Sequence, residues 1–364
     1  MNVDFALTPF VAIWEITRAC DLACRHCRAE AINWRDPLEL KTKEGYRLLD
    51  QINSMGTPIM VLSGGDPIKR DDIFDLVRYG KSLGMRMATI PAATPNLTFD
   101  IVKKLKDAGL DQMALSLDGP TAQVHDAFRG AEGAFDITMQ GARWAHEVNL
   151  PLQINTTFSG FNFEYFDDIA QLVKDLGVVF WEVFFLVPMG RGKVLHQITP
   201  EQYESLFEKL YDYSNKVGYI VKITEAQQYK RFVLQKEKGK ARLQSQSSHK
   251  SERDEFSHGK RHIGRTSKTV NAGNGFVFIS HTGDIYPSGF LPLSTGNIRE
   301  VSLVDTYREH PTFKLLRNYS KLVGKCGICK YRNVCGGSRS RAYAMTSNMM
   351  GTDPLCHYNP EEDK

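Results

Sequence analysis

The stretch FVAIWEITRACDLACRHC, Phe10 to Cys27, runs from an apolar segment straight into three cysteines, Cys20, Cys24 and Cys27. The apolar part is short and β-prone, as a strand buried on both faces should be, and the thiols fall in the loop that follows it. Five further runs share that character: PIMVLSG from Pro58, MRMATIP from Met85, QMALSLD from Gln112, LQINTTF from Leu152 and VFWEVFFLV from Val179. Segments of helical periodicity separate them, among them TKEGYRLLDQINSM, DDIFDLVRYGKSLG and FDIVKKLKDAGL. Strand and helix in alternation imply a parallel sheet with right-handed crossovers. Six strands rather than eight predict an α/β fold that is a partial (β/α)6 TIM-like barrel. Such sheets gather their chemistry at the C-terminal strand ends. The polar and glycine-rich punctuation stands there: TRAC after the first strand, SGGDP after the second, SLDG after the fourth and PMGRG after the sixth.

Composition is that of a globular protein, with 42% hydrophobic and 24% charged residues in 364. The first twenty residues lack a basic segment followed by an apolar one, so no signal peptide is expected. No run approaches the ~18 apolar residues of a membrane span, and the expected location is cytoplasmic. Seven cysteines lie in two clusters, three near the start and four near the end. An odd number of clustered thiols in a reducing compartment points to metal or redox chemistry rather than disulfides.

Beyond Gly192 the rhythm changes. TPEQYESLFEKLYDYSNKVG reads as a helix opened by Thr199 with Pro200 at its first position, and YIVKIT follows as a strand. The segment 235–268 holds ten basic and four acidic residues; without it the chain's 46 basic and 42 acidic residues become 36 and 38. It reads as a mobile basic loop, a solvated surface more readily than a clamp on an acidic substrate. GFVFISHTGDIYPSGF has the pattern of a β-hairpin turning at Thr282-Gly283-Asp284. The last cysteines form a spaced set of four, Cys326, Cys329, Cys335 and Cys356.

Three thiolates can hold three irons of a [4Fe–4S] cube and leave the fourth open, whereas zinc in that loop would need a fourth ligand such as His26. The cysteine spacing, its place after the first strand and the motifs on later strands resemble the radical S-adenosylmethionine superfamily. The resemblance implies that Cys20, Cys24 and Cys27 hold the catalytic cluster. It further implies that the GGDP segment, Gly64, Gly65 and Asp66, binds the methionine amino group through its backbone, with Asp66 in place of the commoner glutamate. Ser116 and Asp118 are implied near the ribose with Asn155 beside them, Arg129 near the methionine carboxylate, and the backbone of His26 towards the adenine.

Four thiols in the tail make a closed site, for which the ligand types alone leave zinc and Fe–S open. Behind such a core the tail resembles a trimmed SPASM or twitch-like domain, which implies one auxiliary [4Fe–4S] cluster on those four cysteines. Ser288 and Arg339 stand near where the full pattern has further cysteines, so an inner cluster is not expected. The expected domains are 1–195 for the barrel, 196–270 for a helix, strand and basic linker, and 271–364 for the small α+β Fe–S domain. The implied activity is reductive cleavage of S-adenosylmethionine to a 5′-deoxyadenosyl radical that takes hydrogen from a peptide or tetrapyrrole side chain. Reduced flavodoxin or ferredoxin is the implied electron donor. The reading from a different class is a zinc- and RNA-binding protein, but the basic segment offers base stacking only Phe256, and nucleic acid is not an expected partner.

Overall fold

The computed structural model describes residues 3–246 and 269–362. Its strands are β1 (Val11–Glu15), β2 (Ile59–Ser63), β3 (Arg86–Thr89), β4 (Gln112–Ser116), β5 (Leu152–Phe158), β6 (Phe180–Phe185), β7 (Ile220–Thr224), β8 (Phe276–Ile279) and β9 (Ile285–Tyr286). They form one curled sheet in the order β7-β6-β5-β4-β3-β2-β1-β8-β9. Every neighbouring pair is parallel except the β8–β9 hairpin. The six expected barrel strands are all present and consecutive. The sheet then runs on at both edges: β7 extends it beyond β6, and β8 pairs with β1 in the register Val11↔Phe276 to Trp14↔Ile279.

Alternation along the strands divides the side chains. Ala12, Trp14, Met60, Leu62, Met87 and Met113 point outward and are buried under helices that supply Leu48, Leu49, Ile52, Leu76, Val77 and Leu105. Val11, Ile13, Ile59 and Val61 point inward and line a cavity of about 1300 Å³, which residues of the C-terminal segment such as Asn271, Ser288 and Phe290 also line.

Local chemistry sets the helix starts. Thr98 accepts from the Ile101 amide to open Phe99–Asp107. Thr199 and Gln202 form a reciprocal capping box ahead of Pro200 in the helix Pro200–Ser214, as the sequence predicts. The basic segment departs from expectation. Residues 235–246 belong to the helix Gln228–Gln246 rather than to a loop, and 247–268 lie outside the described residues. Lys, Arg, Glu, Gln, Leu and Ala dominate that stretch, and all are strong helix formers even where no apolar face marks the period. Among the described residues no helix is long and apolar enough to cross a membrane.

Candidate active site

The three-cysteine loop is built on the end of β1 and closed on itself. The Cys20 amide donates to Ile32 O (2.7 Å) and the Ile32 amide to Arg18 O (3.1 Å), which ties its two limbs together. Inside, the Cys27 amide donates to Cys24 O, and the Leu22 and Ala31 amides point at the Cys20 and Cys27 sulfurs at 3.4 and 3.5 Å. Such N–H···S contacts favour thiolate over thiol. Burial works the other way: it pushes Cys20 up to about 12 and raises Cys24, although Arg129 opposes the shift at Cys24. Without a cation the Cys20 and Cys24 sulfurs hold their protons, and an incoming metal must displace them.

Loops from the other strands brace this one. After β2, Gly65 N donates to Thr17 O (2.7 Å) and Asp66 N to Ala19 O (2.6 Å). A Cβ on Gly64 or Gly65 would stand 2.6 Å from Thr17 O or 2.5 Å from Ala19 O, so side chains are excluded from this backbone approach. The fully buried Asp66 carboxylate accepts from Ile68 N, Ala92 N and the Thr94 hydroxyl, while burial raises its pKa to about 6.

Ser116 ends β4, but its register partner Asn155 lies in the middle of β5 rather than at its end, and Asn155 Oδ1 accepts from Gln153 (2.6 Å). Asp118 is fully buried. Its carboxylate pairs with Arg129 and accepts from Thr157 N (2.7 Å), while its own amide donates to His125 Nδ1 (3.1 Å). Arg129 Nη1 in turn reaches the Cys24 sulfur at 3.8 Å. The residues the sequence assigns separately to ribose and carboxylate therefore form one chain, Asp118 to Arg129 to Cys24. His26 is half-buried with its Nδ1 enclosed, its ring stacked on Phe128 at 4.4 Å, and burial followed by the Arg129 and Arg191 charges holds it well below the usual imidazole range.

Several contributors are not evident from sequence. Arg191, in the PMGRG segment, donates to Cys24 O (2.9 Å) and Ala31 O (3.2 Å), and its amide donates to Cys27 O. Gly190 beside it has φ +52°, and a Cβ there would lie 2.5 Å from Cys27 O. PMGRG is legible as a strand-end loop, but nothing local says that its arginine reaches back more than 160 residues. A second unread group sits at the end of β1. Glu15 accepts from Arg28 (2.7 Å) and contacts His281 Nδ1 (3.0 Å). Burial opposes its charge, yet Arg28 and His281 still hold its carboxylate below the ordinary range. Arg28 also lies over the Phe278 ring at 4.5 Å, so the cysteine loop is fastened to the hairpin of the C-terminal segment.

His26 Nδ1, Arg129 Nε and Arg191 Nη2 are buried around the loop with no hydrogen-bond partner among the described residues. Unsatisfied buried nitrogens beside three thiols suit a bound group that carries sulfur and anionic oxygen. Among the described residues no three His, Cys, Asp or Glu side chains converge as on a single ion. The ligands of a cube attach to separate irons and need no such convergence.

The tail cysteines surround a small recess that Gln228, Arg231, Tyr331 and Tyr358 also line. Tyr331 N and Gly337 N point at the Cys329 and Cys335 sulfurs, both at 3.4 Å, and Arg339 Nη2 at that of Cys326 at 3.6 Å. Burial raises Cys329 and Cys335 and pushes Cys356 up to about 12. Ser288 stands elsewhere: its hydroxyl accepts from Phe290 N (3.1 Å) and it lines the barrel cavity.

Residues 14–173 match the Radical SAM superfamily. The chain is 38% identical to an AdoMet-dependent heme synthase of Oleidesulfovibrio alaskensis, across 96% of this chain and 87% of that one. It is also 38% identical to an AdoMet-dependent heme synthase of Methanosarcina barkeri, across 97% of each. In fold it resembles Streptococcus suis SuiB bound to S-adenosylmethionine, with TM-score 0.73, 19% identity and coverage of 97% of this chain and 78% of that one. With its core matched by the family and its length by these relatives, the chain belongs to the radical SAM superfamily of enzymes, which use a [4Fe–4S] cluster and S-adenosylmethionine.

Proposed function

We propose that this enzyme takes one hydrogen atom from a propionate side chain of an iron tetrapyrrole and that the resulting substrate radical gives one electron to an acceptor, such as a cluster on the tail cysteines, so that the side chain becomes a vinyl group and carbon dioxide leaves. The observation that carries the reading is the 1300 Å³ cavity enclosed by the same strands whose ends bear the cysteine loop. Its wall on β1, β2 and β8 is apolar, with Val11, Ile13, Ile59, Val61 and Phe276, while β4 to β7 present Gln112, Gln153, Glu182 and Lys222. A flat apolar ring suits the apolar wall of such a chamber, and full-length similarity to heme synthases supports that choice.

Cys20, Cys24 and Cys27 would hold the catalytic cluster. Bound there, cluster and S-adenosylmethionine supply a 5′-deoxyadenosyl radical. The Gly64–Gly65 backbone and Ser116 stand at strand ends where S-adenosylmethionine would lie, with Asn155 beside Ser116 and Arg129 offering the carboxylate an Nε that has no partner among the described residues. Asp118 acts through Arg129, which it holds in place. Cys326, Cys329, Cys335 and Cys356 would hold an auxiliary [4Fe–4S] cluster, which supplies electron transfer when bound.

The test is anaerobic reconstitution followed by iron, sulfide and zinc analysis, then incubation with reductant, S-adenosylmethionine and iron coproporphyrin. The expected result is about eight irons per chain, about four when either cysteine set is replaced. With it should come 5′-deoxyadenosine and a porphyrin lighter by carbon dioxide and two hydrogens per reacted propionate. Stoichiometric zinc would overturn the cluster assignments. Deoxyadenosine without any change in porphyrin mass would leave the radical chemistry and overturn the substrate, and would turn the search to an acidic peptide.

A further inference from the structure

We propose that Arg86 is the anchor for a carboxylate at the far edge of the substrate, an inference that rests on the tetrapyrrole reading above. Arg86 opens β3. Arg86, Met87 and Ala88 all border the cavity, but the Met87 side chain packs into the outer core beside Gly80. The side chain is half-buried, and no hydrogen bond, ion pair or ring contact engages it among the described residues. Its guanidinium offers five N–H donors in the planar fork that matches a carboxylate.

The other charges in the wall are engaged: Asp4 accepts from Ala6 N (3.0 Å), Glu225 from the Ser338 and Ser340 hydroxyls, and Lys230 has a partner. Glu182 accepts from Lys222 (2.9 Å), Thr224 (2.7 Å) and Gln153 (3.1 Å), and Gln153 in turn accepts from Gln112. That polar band satisfies itself and neutralises Lys222. Arg317 spends its donors on the carbonyls of Phe5, Ala6, Tyr307, Arg308 and Phe313. Arg86 keeps its donors for a ligand.

Position adds a length requirement. Arg86 pairs in register with Ile59, four residues below Ser63, where β2 gives way to the loop that braces the cysteines. At ~3.3 Å per residue this is a depth of about 13 Å. A molecule that reacts at the loop end and is held at Arg86 must span that depth and carry an anionic group at the end opposite the reacting one. A small monocarboxylic acid fails both conditions. A macrocycle with carboxylates on opposite edges meets them, and Arg86 then decides which propionate stands beneath the loop.

The experiment titrates reconstituted protein with iron coproporphyrin and, separately, with its fully esterified form, following tryptophan fluorescence quenching, for wild type, Arg86→Gln and Arg86→Lys. The expected result is that Arg86→Gln weakens binding of the free acid by roughly tenfold to a hundredfold. Binding of the ester should not change, and Arg86→Lys should fall between. Equal affinity of wild type and Arg86→Gln for the acid would overturn the anchor while leaving the tetrapyrrole reading intact, as would parallel weakening of acid and ester. Failure of the wild type to bind either porphyrin would overturn the tetrapyrrole reading, and the anchor with it.

Discussion

Arg191 shows how much of a cluster loop's shape depends on groups outside it. Its side chain and amide satisfy three carbonyls of the loop, Cys24 O, Ala31 O and Cys27 O, and the side chain supplies two of those bonds. Arg191→Met strands two part-buried acceptors, with an expected loss of about 2 kcal/mol in a denaturant melt. Iron should fall towards about four per chain as the loop loses its form; unchanged iron would mean that the loop holds itself. His125 acts on stability through pH. Burial, and after it the Arg129 charge, depresses it from 6.5 to about 3, and its unprotonated Nδ1 accepts from the Asp118 amide. Between those values the unfolded chain binds the proton and the folded chain does not, so stability is lost as pH falls from 6.5 towards 3. Asp66, raised to about 6, has the opposite sign: its contribution is present at low pH and lost as pH rises through 6. The clean measurement is therefore a difference. His125→Gln minus wild type should shift in favour of the variant by about 1.4 kcal/mol per pH unit below 6.5. A flat difference would refute the assignment.

At the scale of elements, the sequence discloses what is local. The six barrel strands, the capped helix after Thr199 and the hairpin at Gly283, whose φ is +94°, follow from period, cap and turn chemistry close in the chain. The motif loops were legible too, because strand ends in a parallel sheet share one rim. What stayed hidden was long-range pairing: YIVKIT reads as a strand, but not as the seventh of the barrel, and nothing in FVFI announces a partner in β1. The polar helix Gln228–Gln246 was obscured for another reason, since composition suggested a loop where propensity favoured a helix. Arg339 was legible as a replaced cysteine but not in its role. It is fully buried and ties Met349 O and Gly351 O to the turn that holds Cys326. On the proposal that the tail cysteines hold a cluster of their own, Arg339→Met should cost on the order of 3 kcal/mol and release that iron first, seen as a drop towards about four irons with deoxyadenosine formation retained. Loss of both sets together would argue against two separate centres.

For the whole molecule, the sheet makes the C-terminal segment part of the barrel rather than an appendage. Glu15, Arg28 and His281 join the two, and Phe278 lies under Arg28. A chain ended at residue 268 should therefore be recovered as soluble aggregate or inclusion body by gel filtration and pelleting, whereas a separable tail would leave a monomeric barrel. The β1–β8 register has a further consequence, for biosynthesis. Val11 and Phe276 are about 265 positions apart. At roughly 5–20 residues per second the ribosome needs about half a minute to deliver the second after the first. Throughout that interval one edge of β1 is an unpaired strand, the kind of template on which nascent chains stick to one another. Help from a holdase chaperone should thus matter most late in translation, and slowing the ribosome over the middle of the message should lower yield even though no codon change alters the protein.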